Sequence, residues 1–352
     1  MKDKIELLPE FAEGKFVFEE EEFEKNQKSL PQETTLSIKF LSAIGGFIGT
    51  LTFMIFLFIA GIYKSDSGML VLGFGLTAGS LIVTRKFSSV LLDTAAITTY
   101  IAGTFLMSFG MSETLLGNEE TYIAVFFILV GTITLCISPN RFLQVLAVLG
   151  IVGSISFILF DHELYVYFHV LVAFIGVLLV YINLKEAHFI STGKWALQTF
   201  DAIRLGLMIS FIQLSLFIGK KGLIPLEENQ VWLSSLLLLP LLGFVLYSLL
   251  NRYQLAPNLK IIAILLSRII MCLCLFAPAI LASLLLVFIM FRVNYKIGFG
   301  IALIALVYSI AQYYYDLNLL LLHKSLVLMA SGIFFMILFY IVHKKYTEHE
   351  QV

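Results

Sequence analysis

The chain is a succession of long apolar segments, separated by short polar joints, from Phe40 to His343. The first segment, Phe40–Ile62, contains no charged residue. About 20 apolar residues are enough for a helix to cross the hydrocarbon core of a bilayer. Only 13% of the 352 residues are charged, whereas charged residues make up roughly a quarter of a soluble domain. This pattern predicts an integral membrane protein.

The spans are predicted to be helices. In hydrocarbon every backbone N–H and C=O group must be paired within the protein, so only helices and closed barrels cross a membrane. Barrel strands alternate apolar and polar residues, an alternation that Leu236–Leu250 and Leu281–Phe291 lack. The predicted fold class is therefore all-α, a polytopic transmembrane helix bundle.

Twelve spans fit between the polar joints. Their approximate bounds are residues 40–62, 67–84, 90–112, 121–138, 142–160, 164–183, 200–218, 230–250, 259–275, 277–291, 297–315 and 323–342. The segment 259–291 is too long for one crossing, and Pro278 lacks the N–H of an interior helical position and disfavours helix at Ala277. Two short helices with a tight turn are predicted there. A single kinked helix would give eleven spans and move the C-terminus across the membrane.

Basic residues in the joints predict the orientation of the chain. Lys and Arg near span ends stay on the cytoplasmic side of a membrane. With the N-terminus inside, the cytoplasmic side carries Arg85, Lys86, Arg141, Lys185, Lys194, Arg252, Lys260, Arg292, Lys296, Lys344 and Lys345. The opposite side carries only Lys64, Lys220, Lys221 and Lys324. Both termini are therefore predicted to be inside.

The chain divides into three regions. Residues 1–39 are predicted to be an acidic, partly disordered cytoplasmic tail, because they contain ten acidic and six basic residues and no apolar stretch. Residues 40–342 form a single transmembrane helical domain, and residues 343–352 form a short cytoplasmic tail. A cleavable signal peptide needs an apolar core, so the first span is expected to serve as the insertion signal.

The sequence carries none of the common catalytic or ligand-binding motifs. It has no His-Glu-x-x-His, no Gly-x-Ser-x-Gly and no Gly-rich phosphate loop followed by Lys-Ser or Lys-Thr. The six histidines are scattered and show no metal-ligand spacing. A net charge of −1 gives no argument for binding nucleic acid. We therefore expect no enzymatic activity, no cofactor, no metal and no nucleic-acid partner.

Ionisable residues within the spans are candidate functional residues, because each costs about 2.5–3.5 kcal/mol at mid-bilayer. Asp201 and Arg204 are three residues apart near the start of the seventh span, which places them on one helix face as an ion pair or a substrate contact. Arg268 lies midway along the ninth span with no acid within four residues, so it is either structural or a ligand contact. His169 is either a hydrogen-bonded interhelical residue or a proton relay.

The last joint contains a further polar cluster of Tyr315, Asp316 and Lys324. One interpretation is an aromatic belt at the membrane interface beside a lysine that extends into the headgroups. The other is a polar cluster that lines an external pocket. Asp316 and His323 also come closest to the acid/base pair that an intramembrane enzyme acting on lipid would need.

The C-terminal half carries recognisable motifs: Gly298-Phe299-Gly300, Tyr313-Tyr314-Tyr315-Asp316-Leu317, Leu322-His323-Lys324-Ser325 and Ala330-Ser331-Gly332. Together with Leu41–Phe47 and Ala102-Gly103, they resemble a bacterial family of polytopic inner-membrane proteins, catalogued as domain of unknown function 4401. That family has no assigned activity, so the resemblance implies no catalytic residue. It implies a multi-pass protein of the bacterial inner membrane, encoded beside other membrane proteins.

Two functions agree with these features. The first is a non-enzymatic subunit or scaffold of a membrane complex, in contact with membrane lipid and with membrane proteins encoded nearby. The short joints and the missing catalytic motifs favour it. The alternative is a secondary transporter or flippase-like carrier with a polar site around Arg268 and the Asp316–Lys324 cluster, because transporters place broken helices and polar groups near the midplane. The sequence points to no particular small-molecule substrate.

Overall fold

The computed structural model describes residues 36–61, 65–87, 90–114, 120–220, 230–252, 268, 274–316 and isolated positions between 322 and 340. No described residue lies in a strand, which confirms the all-α prediction. The helices are α1 (Leu36–Ile59), α2 (Asp66–Lys86), α3 (Val90–Thr114), α4 (Glu120–Ile137), α5 (Arg141–Asp161), α6 (Tyr167–Leu184), α7 (Glu186–Ser191), α8 (Lys194–Gly219), α9 (Trp232–Arg252), α10 (Pro278–Val293) and α11 (Lys296–Asp316).

Eight of these helices, α2 to α6, α8, α9 and α11, are long and apolar enough to cross a membrane. The apolar stretches of α1 and α10, Ile44–Ile59 and Pro278–Val293, are shorter. These helices agree with the predicted multi-pass helical membrane protein, and the count of twelve spans stays a prediction. Several predicted regions lie outside the described residues: most of the span 259–275, half of the span 323–342 including Lys324, and both tails except residues 36–39.

Helices α1 to α3 pack closely because small residues lie between them. A Cβ atom added at Gly103 of α3 would lie 2.5 Å from Oγ1 of Thr77 and 2.8 Å from the carbonyl oxygen of Gly73, both in α2. A Cβ added at Gly46 of α1 would lie 2.8 Å from Cγ2 of Thr94 in α3. Backbones can approach this closely only where side chains are absent, which is the usual packing of membrane helices.

The main apolar core surrounds α8. Met208 and Phe211 of α8 are fully buried and belong to one cluster with Ile175 of α6, Leu238 of α9 and Leu285 of α10. Helix α8 also packs along α5, and it contacts α7 and α11. This helix is therefore the central element of the described bundle.

Contacts between distant residues establish the helix directions. Oγ1 of Thr121, at the start of α4, donates a hydrogen bond to Oδ2 of Asp161 at the end of α5 (2.8 Å), so these two helices are antiparallel. Nη1 of Arg141, at the start of α5, lies 3.8 Å from Oδ2 of Asp201 in the first half of α8. Helices α5 and α8 are therefore parallel.

The segment 259–291 is not one continuous helix. The chain forms a 3-10 turn at Cys274–Phe276, Ala277 has non-helical angles (φ −128°, ψ 70°), and α10 begins at Pro278. Nη1 of Arg252, at the end of α9, donates a hydrogen bond to the carbonyl oxygen of Arg292 near the end of α10 (3.2 Å). Helices α9 and α10 therefore run in the same direction.

These directions give the bundle two ends of different charge. We call one the basic end, defined by the described residues Arg85, Lys86, Arg141, Lys185, Arg252, Arg292 and Lys296. We call the other the acidic end, defined by the described residues Asp66, Glu120, Asp161, Glu163 and Asp316. Lys220 also lies at the acidic end, directly after α8.

Candidate functional site

Polar side chains converge on Arg204 of α8, near the basic end. Its side chain is only 5% exposed. Nη2 of Arg204 donates to Oδ1 of Asp201 at 2.6 Å, and Nη1 lies 3.5 Å from Oε2 of Glu186 in α7. The guanidinium carbon lies 3.7 Å from the centre of the Tyr295 ring and 5.0 Å from that of Phe200. We call Arg204, Asp201, Glu186 and Tyr295 the arginine clamp.

Local structure explains how these groups meet. Asp201 and Arg204 are three residues apart on one helix, so their side chains face the same way. Helix α10 ends at Val293. The next residue, Asn294, caps it in the left-handed conformation (φ 59°, ψ 34°), which asparagine adopts more readily than most residues. The N–H of Tyr295 donates to the carbonyl of Met290 (3.1 Å), which closes the turn. This turn holds the ring of Tyr295 against the guanidinium of Arg204.

The clamp is a set of ion pairs that connects helices. Asp201 pairs with Arg204 and lies 3.8 Å from Arg141, whose side chain is 72% exposed. Nε of Arg204 is buried without a partner among the described residues. The clamp connects α7, α8 and the α10–α11 turn through one buried cation.

The structure does not bring the other predicted candidates into this clamp. Among the described residues Arg268 forms no ion pair, and its side chain is exposed. Tyr315 is 77% exposed and packs edge-on against Tyr314. Oδ2 of Asp316 is buried with no partner in the described part of the chain. A contact between Asp316 and Lys324 cannot be described, because Lys324 lies outside the described residues.

His169 is fully buried at the start of α6, where its Nδ1 forms a hydrogen bond with Oγ of Ser234 in α9. Its Nε2 has no partner in the part of the chain that the structure describes. The hydroxyl of Ser235, the residue after Ser234, is also buried without a described partner. The contact joins two helices that start at the acidic end, which is the interhelical role expected of a single histidine in a span.

A family model described as "Domain of unknown function (DUF4401)" matches residues 35–345, which is most of the chain and includes every described helix. This chain belongs to that family. No curated protein and no solved structure matches it. The resemblance inferred from the tyrosine-rich joint and the glycine motifs is thereby confirmed.

Two partners in the arginine clamp of this DUF4401 protein do not follow from the sequence pattern. Glu186 lies in a polar joint and Tyr295 in a turn, where acidic and aromatic residues are common. Their only sequence signal is a position next to the predicted span ends on the basic side. Neither Ser210 nor Gln213, two uncharged polar residues within α8, was a sequence-based candidate.

Proposed function

We propose that this protein is a non-enzymatic subunit or scaffold of a membrane complex in the bacterial inner membrane. Its partners would be membrane lipid and other membrane proteins encoded nearby. The observation that supports the proposal most directly is a surface of α2 that carries Gly75 and Gly79 and is not covered by another described helix.

Helix α2 carries Gly75 and Gly79 four residues apart, and a Cβ atom added at either would lie more than 4 Å from every atom of the described residues that pack around it. By contrast, Gly73 on the same helix is covered by α3. Gly45 and Gly49 of α1 have the same spacing and the same open surroundings. Glycines spaced in this way let two membrane helices approach closely. An open face of this kind suits contact with a helix of another protein.

The double substitution Gly75→Leu with Gly79→Leu should separate the protein from its complex. The leucines fill the space that a partner helix needs, and they meet no atom of the described chain. In a mild detergent, light scattering on the purified protein should show a fall from an assembly to the mass of one 39.6 kDa chain. Crosslinks to neighbouring proteins in cells should be lost in parallel.

Phe74→Leu is the matched control, because Phe74 is 64% exposed and lies beside Gly75. It should leave the assembly intact, and all variants should unfold at the temperature of the wild-type chain. The proposal is wrong if the wild-type protein repeatedly purifies as a monomer and no neighbour is crosslinked in cells.

The proposal includes an orientation with both termini in the cytoplasm. The basic end would face the cytoplasm, because cytoplasmic joints retain Lys and Arg. Helix α9 ends at the basic end and α10 begins at the opposite end, which supports a crossing within residues 253–277. The proposed topology contains the eight long helices, α1 and α10. A crossing within residues 253–277 and a last span after α11 bring the total to twelve.

A second candidate function is a secondary transporter or flippase-like carrier. It is supported by the buried Oδ2 of Asp316 and by Arg268, neither of which has a partner among the described residues. Polar groups without protein partners in a membrane often contact substrate or water. The carrier interpretation predicts that Arg268→Cys and Asp316→Cys are both labelled by a water-borne maleimide in intact cells. The background would lack Cys136, Cys272 and Cys274. The subunit proposal predicts labelling at residue 316 and protection at residue 268.

A further inference from the structure

A groove runs between α5, α6 and α8, with a volume of about 290 Å³. Four phenylalanine rings line it: Phe157 and Phe160 of α5, Phe168 of α6 and Phe217 of α8. Phe157, Phe160 and Phe217 are also 39–47% exposed, so the groove opens toward the surroundings of the bundle. By length and composition α5, α6 and α8 can cross a membrane, and a bilayer around them would place hydrocarbon at this opening.

Two polar groups of α8 in this groove have no hydrogen-bond partner among the described residues. The hydroxyl of Ser210 is 2% exposed and forms no hydrogen bond with any described residue. Gln213, one turn further along, also lines the groove; it is exposed, and its amide forms no hydrogen bond with any described residue. An unpaired hydroxyl or amide in an apolar environment costs free energy. A ligand with hydrogen-bonding oxygens would remove that cost.

The position of these groups along the helix indicates where such oxygens lie. At 1.5 Å per residue, Gln213 is about 9 Å and Ser210 about 13 Å below the last residue of α8. The 26 residues of α8 span about 39 Å, roughly 9 Å more than the hydrocarbon core. Gln213 therefore lies just below the boundary between hydrocarbon and headgroups, the level at which lipid ester groups meet the acyl chains.

A cation, Lys220, directly follows the end of α8. Lys220 follows Gln213 by seven residues and Phe217 by three, spacings that keep side chains on one face. Its ammonium forms no ion pair with any described residue, although Asp161 and Glu163 of the acidic end lie at the same level of the bundle. From the headgroup level inward, α8 thus presents a cation, an aromatic ring, an amide and a hydroxyl.

We propose that this groove binds one membrane phospholipid. The phosphate lies at Lys220, the amide of Gln213 and the hydroxyl of Ser210 donate to an ester carbonyl, and an acyl chain lies between the phenylalanine rings. A phospholipid is the membrane component that combines an anionic group, ester oxygens and a long apolar chain in this order. The inference is independent of the helix contacts of α1 and α2 proposed above.

The test uses the full chain in vesicles of equimolar phosphatidylethanolamine and phosphatidylglycerol, with a trace of phosphatidylglycerol bearing a photoreactive acyl chain. Mass spectrometry should locate the crosslinks in α5 and α8, around Phe157 and Phe217. Gly153→Phe should abolish most of this labelling, because Gly153 lines the groove and a Cβ there meets no atom within 4 Å. Gln213→Leu should weaken binding about three- to tenfold through the lost hydrogen bond.

Gly150→Phe is the matched control. Gly150 lies one turn earlier on α5 and has the same open surroundings. It lines the neighbouring cavity between α3, α4 and α5, which Gly153 also lines, but it does not line this groove. It should leave labelling of the groove unchanged. Ser210→Ala, which removes an unpaired hydroxyl, should retain the wild-type unfolding temperature in lipid-free detergent and still reduce labelling. Because that variant keeps its fold, it tests the site even if Gly153→Phe fails to fold.

Two results would overturn the proposal. The first is equal labelling of α5 and α8 in the Gly153→Phe and Gly150→Phe proteins, which would mean that the probe reports only lipid surrounding the bundle. The second is equal labelling by a photoreactive fatty acid of the same chain length. In that case the groove would take an acyl chain without recognising phosphate.

Discussion

Replacing Arg204 with methionine should lower the free energy of unfolding by about 3 kcal/mol, the order found when one partner of a buried ion pair is removed. Methionine keeps apolar contact with Phe200 and Tyr295 but leaves Asp201 and Glu186 without their cation. Those carboxylates are 41% and 35% exposed, so water offsets part of the loss. Unfolding by denaturing detergent, followed by circular dichroism, measures the change.

Arg141→Met provides the control, because this side chain is 72% exposed and lies 3.8 Å from the same Asp201. Exposed ion pairs contribute about 0–1 kcal/mol, so the loss should stay within that range. Arg204→Lys should recover only part of the stability, since an ammonium lacks the planar group that stacks on Tyr295 and pairs with two carboxylates. Equal losses for Arg204→Met and Arg141→Met would contradict the clamp.

Replacing Gly103 with alanine should lower the free energy of unfolding by about 2–3 kcal/mol, at the upper end of overpacking effects. The added Cβ would lie 2.8 Å from the carbonyl oxygen of Gly73 and 2.8 Å from the backbone nitrogen of Thr77. These are backbone atoms, so α2 and α3 must move apart and lose contact along their length. The same detergent titration measures the effect.

Gly150→Ala is the corresponding control in α5. The new methyl group there meets no atom within 4 Å, and alanine is favoured over glycine in a helix by up to about 1 kcal/mol. Stability should therefore be unchanged or slightly higher. If Gly103→Ala behaved like Gly150→Ala, the close approach of α2 and α3 would be wrong.

Features that depend on neighbouring residues could be predicted from the sequence. The length of each apolar stretch determines whether a helix can cross a bilayer, and α2, α5 and α11 begin and end within three residues of the predicted bounds. The break before Pro278 follows from the missing N–H of proline. The pairing of Asp201 with Arg204 follows from a spacing of three residues. Each of these is a local property of the chain.

The contacts of the helices were decided only by the tertiary structure. Glu186 and Tyr295 join the arginine clamp from different helices and turns, and His169 reaches Ser234 across 65 positions. Nearly every face of such a helix is apolar, so an apolar pattern does not say which face meets which neighbour. In lipid, helices associate through close packing and hydrogen bonds rather than through the hydrophobic effect. Both depend on shapes that appear only when distant segments are brought together.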